Sequence, residues 1–224
     1  LRSEANHIEA IIFDWDGTIV DSSQAMLLSY RYAYKTHLNI LFPRDDDQFR
    51  MMVAMRVAES SAKFGGPYAA EVAESYSRYY EAEAYKTSRL FPGIQHTINE
   101  LKDRGYRLAV ASNKNLGRIQ TEIDHLQLGG LIDLFVTSED TAERKPHPAP
   151  LFKTAEKLGV TPQSCAYIGD YEGDIMAAKA AGMLSVAALW GTIYLPETLL
   201  AQQPDYTVEK PIELLDVFGD NLHG

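Results

Sequence analysis

The chain has 224 residues, enough for one large domain or for a domain carrying a smaller insert. Apolar residues make up 46% and charged residues 23%, as in ordinary globular proteins, and 31 acidic against 21 Lys and Arg residues leave a formal charge of −10. That balance argues against a nucleic-acid or anionic-membrane surface, so an anionic ligand needs a local cluster of cations, a metal or backbone N–H groups. Cys165 is the only cysteine, which rules out an internal disulfide and suits a reducing, cytoplasmic location. No apolar stretch approaches the ~20 residues of a membrane helix. Residues 1–9 are polar with mixed charge, unlike a signal peptide.

Short apolar runs alternate with helix-like segments. Residues 8–13 read as a buried strand, followed at a distance by strands at 107–111, 134–136, 165–168 and 184–189. Helices are predicted between them at 93–104, 116–126, 149–158 and 172–181. Strands alternating with helices, and lacking polar alternation, indicate a doubly wound parallel sheet of the α/β class. Residues 22–88 break that rhythm and hold no convincing strand. Ser22 is a candidate cap for a helix through Met26, Tyr30 and Ala33. Asp45 to Asp47 offer caps for a second helix through Phe49, Met52, Val53, Val57 and Phe64. Gly65 and Gly66 stop it, and Pro67 starts a third that carries Tyr68, Val72, Tyr76, Tyr79 and Tyr80. The expected organisation is an α/β core of residues 1–20 and 89–224 with a small all-helical domain, 21–88, inserted after the first strand.

Four groups fall at predicted strand ends, where parallel sheets bind ligands. Asp14-Trp15-Asp16-Gly17-Thr18 follows the first strand, with two aspartates on one loop and a glycine that lets backbone approach an anion. An Asp-Gly turn is common, but from average usage this full pattern arises on the order of once in 10⁵ start positions. Ser112 and Asn113 follow the second core strand, where a hydroxyl and a backbone N–H can bind phosphoryl oxygens. Alone they read as a turn. Lys145 lies in a loop stiffened by Pro146, Pro148 and Pro150 and is expected at a solvent-accessible mouth. Alone it reads as a surface lysine. Asp170 and Asp174 follow the strand at 165–168; they suit a hard cation such as Mg²⁺ or, more simply, cap a helix.

Taken together, in the order Asp-x-Asp, Ser, Lys, Gly-Asp-x-x-x-Asp, these motifs resemble the haloacid dehalogenase superfamily. The likeness is to its phosphatases with a helical cap, phosphoglycolate-phosphatase-like and β-phosphoglucomutase-like, and it covers nearly the whole chain. It implies a Rossmann-like core with the cap inserted after the first strand. It also implies a Mg²⁺-dependent phosphatase acting on a small phosphorylated metabolite through an aspartyl-phosphate. Asp14 would be the nucleophile and Asp16 the acid and base. Asp14, the backbone carbonyl of Asp16 and Asp170 would hold Mg²⁺, with Asp174 supporting the metal or orienting Lys145. Ser112, Asn113, Gly17 and Lys145 would bind the phosphoryl group. Phosphoryl transfer rests on positioning and charge stabilisation, which fits this division.

The same motifs serve a phosphomutase, and a non-catalytic protein-binding member remains a remote alternative. A dehalogenase or phosphonatase has no need of the acid/base group at Asp16. His7, His37, His96, His125, His147 and His223 lack metal-ligand spacing, and Cys165 reads as a core thiol.

Overall fold

The structure is a computed structural model and describes residues 7–219. Most of the polar N-terminal stretch, and His223, therefore lie outside the described residues. Strand β1 (Ala10–Phe13) is an unbroken apolar run with all four residues buried. A run without polar alternation belongs in the interior of a parallel sheet covered on both faces. The chain then passes through two-residue strands β2 (Val20–Asp21) and β3 (Arg89–Leu90), which pair as a ribbon. Strands β4 (Arg107–Ala111), β5 (Leu134–Val136), β6 (Cys165–Gly169), β7 (Leu184–Ala188) and β8 (Tyr206–Val208) follow. Together with β1 they form a six-stranded sheet in the order β5-β4-β1-β6-β7-β8, parallel throughout. Phe13 stands opposite Val110 on one side and Ile168 on the other, so β1, β4 and β6 end side by side.

Two compact units divide the chain: one holds everything up to Asp21 and from Leu90 on, the other is Ser22–Arg89. In the first, helices α5 (Ile94–Asp103) and α6 (Leu116–Leu126) cover the sheet face carrying Ile11, Phe13, Leu108, Val110 and Ile168. Ile94, Ile98, Leu101 and Ile119 supply the packing. Helices α7 (Ala149–Leu158) and α8 (Glu172–Ala181) cover the opposite face through Leu151, Ala155, Ala177, Ala178 and Ala181. Ala10, Ala109 and Ala111 lie on that face together with Ile12 and Tyr167. Cys165 is buried there, and burial pushes its thiol up to about 11, as a core thiol should behave. Short helices α9 (Pro196–Leu200) and α10 (Leu214–Val217) complete the unit.

The chain builds outward from β1 to β4 and β5, then returns to β6, β7 and β8 on the other side. The carboxyl ends of β1 and β6 thus flank the point where the winding reverses, the place where open α/β sheets bind ligands. Strand β8 was not anticipated. It is an edge strand with Tyr206 and Thr207 exposed, so no apolar run marks it.

The second unit is helical. It contains α1 (Ser23–Leu38), α2 (Asp46–Val53), α3 (Val57–Phe64) and α4 (Ala69–Ala82). Its interior is largely aromatic: Tyr30 packs on Tyr76 at 4.4 Å between ring centroids, and Tyr34 on Phe42 at 4.8 Å. Two readings need correction. The expected second helix is two helices, broken at residues 54–56, where Arg56 is extended and its N–H is accepted by Glu59 Oε2 at 2.9 Å. Ser22 stands at the N-cap of α1, but its side chain makes no cap bond, unlike Asp45, which accepts from Gln48 N at 2.9 Å. Among the described residues no helix is long and apolar enough to cross a membrane.

Candidate active site

Asp14 leaves the sheet with its N–H still bonded to Ile168 O at 2.8 Å, so its position is set by β6 as well as β1. The loop then folds tightly: Ile19 N and Val20 N both donate to Trp15 O at 3.0 Å, and Gly17 N donates to Val20 O at 2.8 Å. Gly17 has φ +80°, and a methyl in place of its hydrogen would fall on the Asp170 carboxylate. Both facts require glycine. Gly17→Ala is expected to lower fold stability by about 1–2 kcal/mol from the left-handed backbone alone, read as a lower denaturation midpoint. An unchanged midpoint would mean that the loop relaxes to negative φ.

One oxygen from each of Asp14, Asp170 and Asp174 lies within 4.8 Å of the others, and all three residues are buried. Burial pushes Asp14 up to about 6 against the pull of Lys145, and Asp174 and Asp16 add to the rise. Burial also holds Asp170 well above the usual carboxylate range, with Asp174 and Asp14 repelling its charge. Asp170 Oδ2 is buried without a hydrogen-bond donor, and Thr18 Oγ1 reaches Oδ1 only at 3.4 Å. Three crowded carboxyl groups with an orphaned oxygen fit an oxygen-binding cation. The Asp16 carboxylate is not part of this cluster, so its expected part in a metal site rests on its backbone carbonyl alone.

Lys145 corrects the expectation of a solvent-accessible lysine, for its side chain is 1% exposed. Its Nζ lies 2.9 Å from Asp14 Oδ1 and 2.7 Å from Asp174 Oδ1. It also donates to Tyr167 Oη at 2.5 Å, and that hydroxyl donates to Ala111 O at 2.8 Å. Burial alone would lower the amine's pKa, but Asp14 and Asp174 outweigh it, and the net shift is upward. The lysine turns inward because Asn113 clamps its backbone, accepting from Lys145 N and donating to Lys145 O, both at 3.1 Å. The Asn113 side chain is engaged in this clamp, and its backbone N–H is the group expected at a phosphate. Asp174 Oδ2 accepts from Tyr171 N at 3.1 Å, so both of its oxygens are engaged.

Ser112 is buried at the end of β4, its N–H bonded to Val136 O at 2.9 Å. Strands β1, β4 and β6 thus bring Asp14, Ser112 and Asp170 to one end of the sheet, and the clamp adds Lys145. The sequence reading missed Lys114. Its Nζ lies 2.8 Å from Asp16 Oδ1 and 2.7 Å from Glu122 Oε2. It also missed Tyr167, Trp190, whose Nε1 donates to Thr18 O at 2.9 Å, and Gly191, where a methyl would lie 2.6 Å from Asp170 Cβ. Lys114 had one local signal, its place directly after Ser112 and Asn113; the others had none.

A carboxylate and a buried ammonium facing each other at the reversal of a doubly wound sheet suit a hydrolase that handles an anionic group. Residues 11–188 match the haloacid dehalogenase-like hydrolase family, and the chain belongs to it. It is 31% identical over 216 residues to a phosphoglycolate phosphatase of Aquifex aeolicus, covering 96% of this chain and 99% of that one. It is 30% identical to pyrophosphatase PpaX of Bacillus velezensis, covering 95% and 97%. A haloacid dehalogenase-like hydrolase structure from Streptococcus pneumoniae superimposes with a TM-score of 0.84 at 28% identity, covering 95% and 99%.

Proposed function

We propose that this phosphatase hydrolyses a small phosphorylated metabolite, of the phosphoglycolate or sugar phosphate kind, through a phosphoryl group carried on Asp14. The observation that supports it best is the buried Lys145 ammonium bridging Asp14 and Asp174, beside the orphaned oxygen of Asp170. The relatives named above as phosphoglycolate phosphatase and pyrophosphatase support a small, strongly anionic substrate.

Asp14 attacks phosphorus while the ester P–O bond breaks, and Asp16 gives its proton to the leaving oxygen. Asp16, now a carboxylate, takes a proton from water. The resulting hydroxide displaces phosphate and frees Asp14. Lys145 offsets the repulsion between carboxylate and phosphate dianion, and Ser112 with the Asn113 backbone N–H holds phosphoryl oxygens. Asp14, Asp170 and the Asp16 carbonyl would hold Mg²⁺, which supplies charge neutralisation at the phosphoryl group. Asp174, with both oxygens engaged, serves chiefly to orient Lys145. The helical unit Ser22–Arg89 serves as the cap that admits substrate and excludes water.

The test is phosphate release from a panel holding phosphoglycolate, sugar phosphates, pyrophosphate and p-nitrophenyl phosphate, with Mg²⁺ or with excess chelator. Release should require Mg²⁺, and Ca²⁺ should substitute poorly because it prefers more ligands and longer bonds. Full release in chelator would end the metal part of the reading; no release from any ester would end the rest.

A further inference from the structure

We infer that Lys114 is a positioning residue for Asp16, itself held in place by Glu122 and Trp15. The inference rests on the acid/base part given to Asp16 above. Lys114 is pinned by its backbone, with its N–H on Ser112 Oγ at 3.4 Å and its carbonyl accepting from Ser138 N at 3.2 Å. Its side chain is 6% exposed, so the ammonium is held by protein groups rather than by water. It reaches Asp16 Oδ1 at 2.8 Å and Glu122 Oε2 at 2.7 Å.

Glu122 sits on α6 with no exposed surface, facing the core that holds Ile119. A buried glutamate there is costly unless paired, and its pairing is with Lys114. Trp15 Nε1 donates to the same Glu122 oxygen at 2.7 Å. Trp15 is also the residue between Asp14 and Asp16, buried with its ring edge-on to Phe135 at 6.1 Å. The contacts thus close a ring: Trp15 fixes Glu122, Glu122 fixes the Lys114 ammonium, and the ammonium fixes one oxygen of Asp16. The peptide bond from Trp15 to Asp16 completes it. A tethered carboxylate reaches proton-transfer geometry with less rotation to freeze. The two buried lysines thereby divide the work: Lys145 faces the nucleophile and Lys114 faces the acid.

The experiment compares an alkyl phosphate with p-nitrophenyl phosphate, because only the alkoxide leaving group needs the proton. Lys114→Met should slow phosphoenzyme formation from the alkyl ester on the order of 10²-fold while the nitrophenyl ester changes by about threefold or less. Lys114→Arg, which keeps the charge, should recover part of the alkyl rate. In an Asp16→Asn background, Lys114→Met should cost little further, about twofold at most, because the two act as one unit. A merely structural lysine would slow both esters alike and add its full cost to Asp16→Asn, and that result overturns the inference. Should Lys114→Met fail to fold, Lys114→Met with Glu122→Gln removes both buried charges together and is read by the same ratio. If Asp16→Asn discriminates between the esters and the Lys114 variants do not, the positioning role fails alone. If Asp16→Asn fails to discriminate, the acid/base reading fails and takes the positioning role with it.

Discussion

Lys145→Met should lose turnover by about 10³-fold, at the upper end of what one preorganised charge contributes in a water-excluded site, and should also lose stability. The ammonium sits between Asp14 and Asp174 at 2.9 and 2.7 Å with 1% of its side chain exposed. Removing one member of a buried ion-paired group leaves uncompensated charge, which costs about 3–5 kcal/mol. A lysine in an accessible loop would have cost almost nothing. Urea denaturation measures the second effect and single-turnover kinetics the first. Wild-type turnover in the variant would end the part given to Lys145. Wild-type stability would mean that the carboxyl groups take up a proton at little cost, for which Asp14, already pushed up to about 6, is the natural acceptor.

The core of the fold was legible because its central strands are buried on both faces. Apolar runs such as the one at Ala10–Phe13 announce themselves without any partner being known. Strand β8 has no such run, since one side of it faces solvent. The break between α2 and α3 was hidden for a different reason. Phe49, Met52, Val53 and Val57 keep helical spacing through it, while the new start is marked by the Arg56 N–H donating to the Glu59 side chain, which apolar periodicity does not register. The site divides in the same way. That Asp14, Ser112 and Asp170 lie together at one end of the sheet was legible because each directly follows a readable strand. The burial of Lys145 was not, because it depends on a clamp by Asn113, 32 residues away. The partnership of Lys114 with Asp16 joins residues 98 apart, and no local pattern encodes it.

Asp14→Asn and Asp16→Asn should fail in different ways, although the two side chains are chemically alike. Their surroundings separate them. Asp14 faces Lys145 and the acidic cluster, whereas Asp16 faces Lys114 and is 24% exposed in its side chain. Asp14→Asn replaces the attacking carboxylate with a non-nucleophilic amide and should give neither turnover nor a product burst with any ester. Asp16→Asn keeps an amide oxygen that can still accept from Lys114, so the loop should hold its shape and the loss should be chemical. An alkoxide is a strong base and leaves slowly without a proton, so alkyl and sugar phosphates should phosphorylate the variant poorly. A nitrophenolate leaves without help, so the nitrophenyl ester should still load Asp14. Water activation then lacks its base, and phosphoenzyme should accumulate, seen as a burst of about one product per site. Rapid mixing with p-nitrophenyl phosphate measures that burst directly. Equal slowing of both ester types with no burst would remove the Asp16 side chain from proton transfer and leave Asp14 as the only one of the two side chains that touches the reaction.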